Sequence, residues 1–109
     1  MKIAIVAKKD LRIPNMQSYI PTYTSEIVTI DDMNVNFDIV QLCKKYGFQM
    51  TVFYKNENRY STGAWIIRNM EISDYADELV AFYNGDSREI EHMVECFKRN
   101  NKLIRFVNV

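Results

Sequence analysis

Five short apolar runs punctuate the chain, and the stretches between them carry apolar residues at helical spacing. Ile3-Ala4-Ile5-Val6-Ala7 is continuous and rich in branched residues. That is the pattern of a strand buried on both faces of a parallel sheet. Glu26 to Ile30, Gln49 to Tyr54, Glu78 to Tyr83 and Leu103 to Val107 read as four more strands. After the second run, Asn36 is placed to cap a helix reaching about Tyr46, with Ile39, Val40, Cys43 and Tyr46 recurring at helical spacing. Gly47 supplies the stop. A helix is expected within Gly63 to Ser73, its inner side formed by Ile66, Ile67 and Met70. Asn84-Gly85-Asp86-Ser87 is turn chemistry, and Asp86 with Glu89 has capping-box spacing. Ile90, Met93, Val94 and Phe97 then mark the core face of a last helix, ending near Asn100-Asn101. Leu11 to Thr24, with Pro14 and Pro21, is expected to be a loop with one short helical piece. Lys55 to Thr62 reads as a polar surface loop.

Strands alternating with helices at this spacing predict right-handed βαβ units. The expected fold is α/β, a Rossmann-like three-layer α/β/α sandwich with a mainly parallel five-stranded sheet, and residues 1–109 form one domain. Ligands of such folds bind beyond the carboxyl ends of the strands, where strand order reverses. Attention therefore falls on the chain just after Ala7, Ile30 and Tyr83.

Composition adds limits. The chain has 109 residues, 48% of them apolar, which suits one globular core. Fourteen basic residues balance fourteen acidic ones, so bulk charge gives no reason to expect nucleic-acid or membrane-surface binding. Cys43 and Cys96 lack zinc-site spacing and are expected as buried thiols in a reducing compartment. The first apolar run is too short for a signal-peptide core or a membrane span, and a cytoplasmic location is expected. No cofactor and no metal site are called.

The C-terminal half carries a recognisable pattern. Arg68-Asn69, then Ala76-Asp77, then Leu79-Val80-Ala81-Phe82-Tyr83-Asn84-Gly85-Asp86-Ser87-Arg88 resemble the SLOG superfamily, in the branch related to YspA and YpsA. The resemblance spans residues 60–107 well and extends more loosely to Lys2–Asp10. It implies a Rossmann-like fold and a nucleotide or nucleotide-derived ligand. Wider relatives include cytokinin-releasing phosphoribohydrolases (the LOG/lysine-decarboxylase-like proteins), molybdenum-cofactor carriers and the DNA-processing protein DprA.

The departures from that pattern are specific. The family's glycine-rich loop after its second strand is replaced by Asp31-Asp32-Met33-Asn34. Backbone N–H groups in such glycine loops hold phosphates, whereas two aspartates oppose an anion unless a metal, Lys or Arg compensates. The family's Ser-Arg-Gly-Thr is Ser87-Arg88-Glu89-Ile90, and its Gly-Ser-Arg turn is Ala7-Lys8-Lys9. The phosphoribohydrolase Pro-Gly-Gly-x-Gly-Thr-x-x-Glu motif is absent.

The candidate ligand residues are Lys9, Asn34, Arg68, Asn69, Gly85, Ser87 and Arg88. Against each stands a plainer role: helix-surface bonding for Arg68 and Asn69, capping for Ser87, a turn requirement for Gly85. His92, the single histidine, is expected to face outward. Asp31 with Asp32 is expected to be solvated rather than to hold Mg²⁺. Tyr54, Tyr60, Trp65, Phe82 and Tyr83 are candidates for a base-stacking wall, with core or interface packing expected for most of them. The leading expectation is a non-catalytic domain binding a nucleotide- or nucleoside-like small molecule. The second is a structural protein with a decayed site, forming a homo-oligomer. The third is an enzyme cleaving a nucleotide N-glycosidic bond, with Glu89 as its weak catalytic candidate.

Overall fold

The computed structural model describes residues 1–31, 34–83, 85 and 87–108. Its five strands are β1 (Lys2–Ala7), β2 (Glu26–Ile30), β3 (Gln49–Phe53), β4 (Glu78–Phe82) and β5 (Leu103–Val107). They form one sheet in the order β3-β2-β1-β4-β5, with every neighbouring pair parallel. The helices are α1 (Val35–Tyr46), the single turn α2 (Glu57–Tyr60), α3 (Ala64–Tyr75) and α4 (Arg88–Arg99). The expected Rossmann-like α/β architecture is what the chain adopts.

The apolar runs explain the layering. Every residue of β2 and β4, and all but the first of β1, is buried, so both faces of the sheet centre are covered. The helix α1 packs against a 3₁₀ turn at Met16–Tyr19, and α3 packs against α4. That turn is the short helical piece expected within Leu11 to Thr24. The edge strands β3 and β5 are only partly covered, leaving Leu103 and Phe106 exposed. No described helix is long and apolar enough to cross a membrane.

Several local expectations are corrected. Asn36 does not cap α1. The helix begins at Val35, and the Asn36 side chain turns back to β2, donating to the Ile30 carbonyl (3.0 Å) and accepting from Thr29 Oγ1 (2.9 Å). The core stripe of α1 is Val35, Asp38, Ile39, Leu42 and Cys43, and Tyr46 is exposed. Gly47 does end the helix, in the left-handed conformation (φ 74°) that glycine adopts without penalty. On α3, Ile66 and Met70 are exposed, while Ala64, Arg68, Asn69, Ile72 and Ser73 are buried. Polar residues won the inner face there because they have partners on neighbouring elements. The expected loop at Lys55–Thr62 contains α2. The expected Asp86 capping box lies outside the described residues, and Ser87 caps α4, its Oγ accepting from the Ile90 N–H (3.3 Å). The core face of α4 is as expected: Ile90, Met93, Val94 and Phe97 are all buried.

The two ends of the sheet differ in chemistry. At the amino end, buried acids meet neutral hydroxyls. Glu26 accepts from Tyr75 Oη (2.6 Å) and Thr51 Oγ1 (2.9 Å), and Glu78 accepts from Tyr23 Oη (2.8 Å). Lys102 Nζ donates to the carbonyls of Ser73 (2.6 Å) and Ala76 (2.7 Å), so it complements the C-terminal dipole of α3. That end is closed by satisfied bonds, and the carboxyl end holds the cleft.

The long β1–β2 connection is pinned by Asp38. Its carboxylate accepts from the Ile13 N–H (2.7 Å) and takes a two-point grip from Arg12 (2.9 and 3.0 Å). Arg12 first, then the Ile13 N–H, hold the Asp38 carboxyl below its ordinary range against the opposing effect of burial. Arg12 is half exposed, so its ion pair adds little to stability, and the stability cost of losing the carboxylate is set mainly by the buried Ile13 N–H bond. Asp38→Asn is expected to cost about 1–3 kcal/mol at pH 7, measured by urea unfolding. A folded-state carboxyl held low stabilises above the unfolded carboxylate range and ceases to as pH falls. The gap between wild type and variant should therefore narrow below about pH 4.

Candidate functional site

Because β1 lies between β2 and β4, the chain leaves it in opposite directions and a crevice opens at its carboxyl end. Register places Ala7 beside Phe82, so β1 and β4 end level with each other. The resulting cleft has a volume of about 230 Å³. Each neighbouring element contributes to it: Ala7 at the end of β1 and Lys9 after it, Asp31 after β2, Lys55 after β3, Arg68 and Asn69 from α3, and Ser87 and Glu89 from the start of α4.

Arg68 is the centre of this arrangement. It is 1% exposed, yet it carries a permanent charge. Its Nη1 donates to Asp31 Oδ1 (3.0 Å). Its Nη2 donates to Asn69 Oδ1 (3.3 Å) and, at a longer 3.4 Å, to Glu89 Oε2. Its Nε has no hydrogen-bond partner among the described residues. A buried N–H left unpaired costs about 1–3 kcal/mol, so the guanidinium is incompletely satisfied by the described residues. The Glu89 side chain is 46% exposed, which makes it the loosest of the three partners.

Asn69 ties this centre to α4. Its Nδ2 donates to the Glu89 carbonyl (3.0 Å) and to His92 Nδ1 (3.2 Å). The second bond requires His92 to be neutral, with its proton on Nε2. Burial, and then the Arg99 charge, lower the His92 pKa in the same sense. His92 therefore does not face outward as expected. It is half-buried between α3 and α4, edge-on to Trp65 (5.4 Å between centroids) and 3.7 Å from Cys96 Sγ. The buried arc of α4 is wider than its apolar stripe because α3 lies along it. Burial raises the Cys96 thiol pKa, which favours the thiol over the thiolate at this Cys–His contact.

The cleft thus brings together Lys9, Arg68, Asn69, Ser87 and Glu89 from the sequence-derived candidates, and Asn34, Gly85 and Arg88 do not line it. Gly85 takes φ 110°, a turn conformation suited to glycine. Asp31, expected to be solvated, is instead the principal counter-ion of Arg68, and Asp32 lies outside the described residues. Lys55 was missed. Its one sequence signal is its position just past a parallel strand, where ligand-facing loops begin. Three cations and two carboxylates line the cleft among the described residues. No group of three described His, Cys, Asp or Glu residues is placed to hold a metal ion.

No family model matches the chain, and neither a curated protein nor a solved structure shows significant similarity to it.

Removing Arg68 leaves two carboxylates without their counter-charge. Arg68→Met is expected to cost about 3 kcal/mol in denaturant unfolding, the lower end for a broken buried pair because Glu89 can rehydrate. Adding Asp31→Asn to that variant should recover part of the loss. A cost additive with that of Asp31→Asn alone would show that the pair is not coupled.

Proposed function

We propose that the chain is a SLOG-like, non-catalytic binding domain for a small anionic molecule of nucleotide-like chemistry, seated at the carboxyl ends of β1 and β4. The observation that carries this reading is Arg68: fully buried, lining the crossover cleft, with one N–H unpartnered. A buried guanidinium is a pre-organised anion receptor, because its desolvation has been met during folding. Glu89, half exposed and held at 3.4 Å, occupies the place an incoming phosphate or carboxylate would take. Lys9 and Lys55 supply further positive charge at the rim. The α4 N-terminus, with Ser87 at its cap, turns its dipole toward the same space.

The missing glycine loops change how the anion is held. Backbone amides gave way to side-chain cations, and the aspartate that would repel phosphate is neutralised by Arg68. The state of the cleft's hydroxyl and of the thiols supports the non-catalytic part of this reading over the alternative in which Glu89 acts on a glycosidic bond. The Ser87 hydroxyl is committed to capping and the thiols are buried. A second reading, self-association, rests on the exposed Leu103 and Phe106 of the edge strand β5.

Thermal unfolding with nucleotides, nucleosides and ADP-ribose tests the proposal. A ligand present at ten times its Kd stabilises by about 1.4 kcal/mol, or several degrees in Tm for a domain of this size. Phosphorylated compounds are expected to shift the wild type and not Arg68→Met. The absence of any shift at millimolar ligand would count against the site.

A further inference from the structure

The Asn69 amide divides its hydrogen bonds between a fixed charge and a titratable ring. Its Oδ1 accepts from Arg68 Nη2 (3.3 Å), and its Nδ2 donates to the Glu89 carbonyl (3.0 Å) and to His92 Nδ1 (3.2 Å). The partners dictate this orientation. A guanidinium offers only N–H donors and a carbonyl only accepts, so the amide oxygen must face Arg68 and its nitrogen must face Glu89. That nitrogen also meets His92, and only a ring without a proton on Nδ1 can accept from it. Asn69 is fully buried, so bulk water does not replace a bond lost there. The protonation of His92 and the hydrogen bonding of Arg68 are therefore joined through one side chain.

We infer that His92 is the proton-linked regulator of the Arg68 site: an anion bound at Arg68 and a proton on His92 favour each other through Asn69. The inference rests on the proposed anion site and adds how that site is controlled. Without an anion, a proton on Nδ1 sets one N–H against another. Turning the amide over relieves that conflict but brings Nδ2 against Arg68 Nη2. An anion in the cleft takes over Nη2, so Oδ1 is released to the protonated ring. Nδ2 then turns toward the cleft, which Asn69 lines, where the anion accepts from it. The Glu89 carbonyl loses its donor in that turn with or without the anion, so its loss does not enter the difference.

Charge acts in the same direction. Among the described residues, the ring faces Trp65 and Asn69 of α3 and Cys96 of its own helix. Arg68, with its Asp31 and Glu89 carboxylates, lies one bond beyond Asn69. Arg99 is the charge that acts on His92, while Asp74 of α3 and Glu95 of α4 act on Cys96. Glu71 of α3 and Arg88 and Glu91 of α4 are exposed. The core side of α4 is apolar, formed by Ile90, Met93, Val94 and Phe97. Burial and then Arg99 hold the His92 pKa below its ordinary value, and an anion at Arg68 opposes Arg99 and raises it. A ring whose pKa rises on binding takes up a proton with the ligand. Affinity is then greatest below the unliganded His92 pKa and falls as pH rises through the liganded one.

The test uses the full chain and inorganic sulfate, whose charge is constant across the range of about pH 5 to 8 in which histidine titrates. Ionic strength is matched with sodium chloride. His92 is the single histidine, so its ring protons report its titration by NMR, and sulfate affinity is read by calorimetry at each pH. Sulfate is expected to raise the His92 pKa and to bind about fivefold more tightly at the acid end than at the neutral end. His92→Gln, which keeps an acceptor for Asn69 and does not titrate, should bind sulfate with an affinity that no longer varies with pH. His92→Phe should behave alike and serves where the glutamine variant is poorly folded. Asn69→Ala should shrink the sulfate-induced change in the His92 pKa, and a change of full size in it would overturn the relay. Sulfate that binds without moving the His92 titration, or a pH dependence equal in wild type and His92→Gln, would overturn the regulator and leave the anion site standing. If sulfate binds at no pH, the anion-site reading fails and the inference fails with it.

Discussion

A guanidinium removed from water must be repaid in hydrogen bonds, and the carboxyl end of this sheet is organised around one such group. Stripping an ion of its hydration costs several kcal/mol even after relaxation. Arg68 recovers this from Asp31 at the end of β2, from Asn69 one residue along its own helix, and from Glu89 in the first turn of α4. Those three partners come from three elements. Satisfying one side chain therefore fixes α3 relative to the sheet and to α4. Asn69 repeats the tie through the Glu89 carbonyl and His92.

The asymmetry of the sheet follows from how its ends are satisfied. At the amino end, Glu26 and Glu78 are bonded by tyrosine and threonine hydroxyls, and Lys102 closes the C-terminus of α3. At the carboxyl end the Arg68 network remains one bond short at Nε and loosely held at Glu89.

Much of this architecture was legible in the chain. The strands were readable because each is a short apolar run bounded by polar or turn residues, and the core face of α4 because Ile90, Met93, Val94 and Phe97 keep strict helical spacing. The crossover cleft followed from parallel topology alone. The inner face of α3 was not legible. Hydrophobicity points to Ile66 and Met70, and only the partners Asp31 and Glu89, 37 and 21 residues away in sequence, make Arg68 the buried choice. His92 misled for the same reason, since its surroundings are set by α3 and not by its own helix. Asn36 looked like a cap because capping residues are named by type, while its bonds go to β2. Pairings between distant polar residues leave no periodic trace, and the site is built from such pairings.

The central claim is that the buried Arg68 guanidinium is the anion-receiving group. The most direct measurement follows the Arg68 Nε–H signal by ¹H–¹⁵N NMR, assigned with Arg68→Lys, while AMP or inorganic phosphate is added. A saturable displacement of that signal, together with the backbone amides of Ala7, Asp31 and Glu89, is the predicted result. Ligand binding that saturates elsewhere while the Arg68 signal stays fixed would contradict the account.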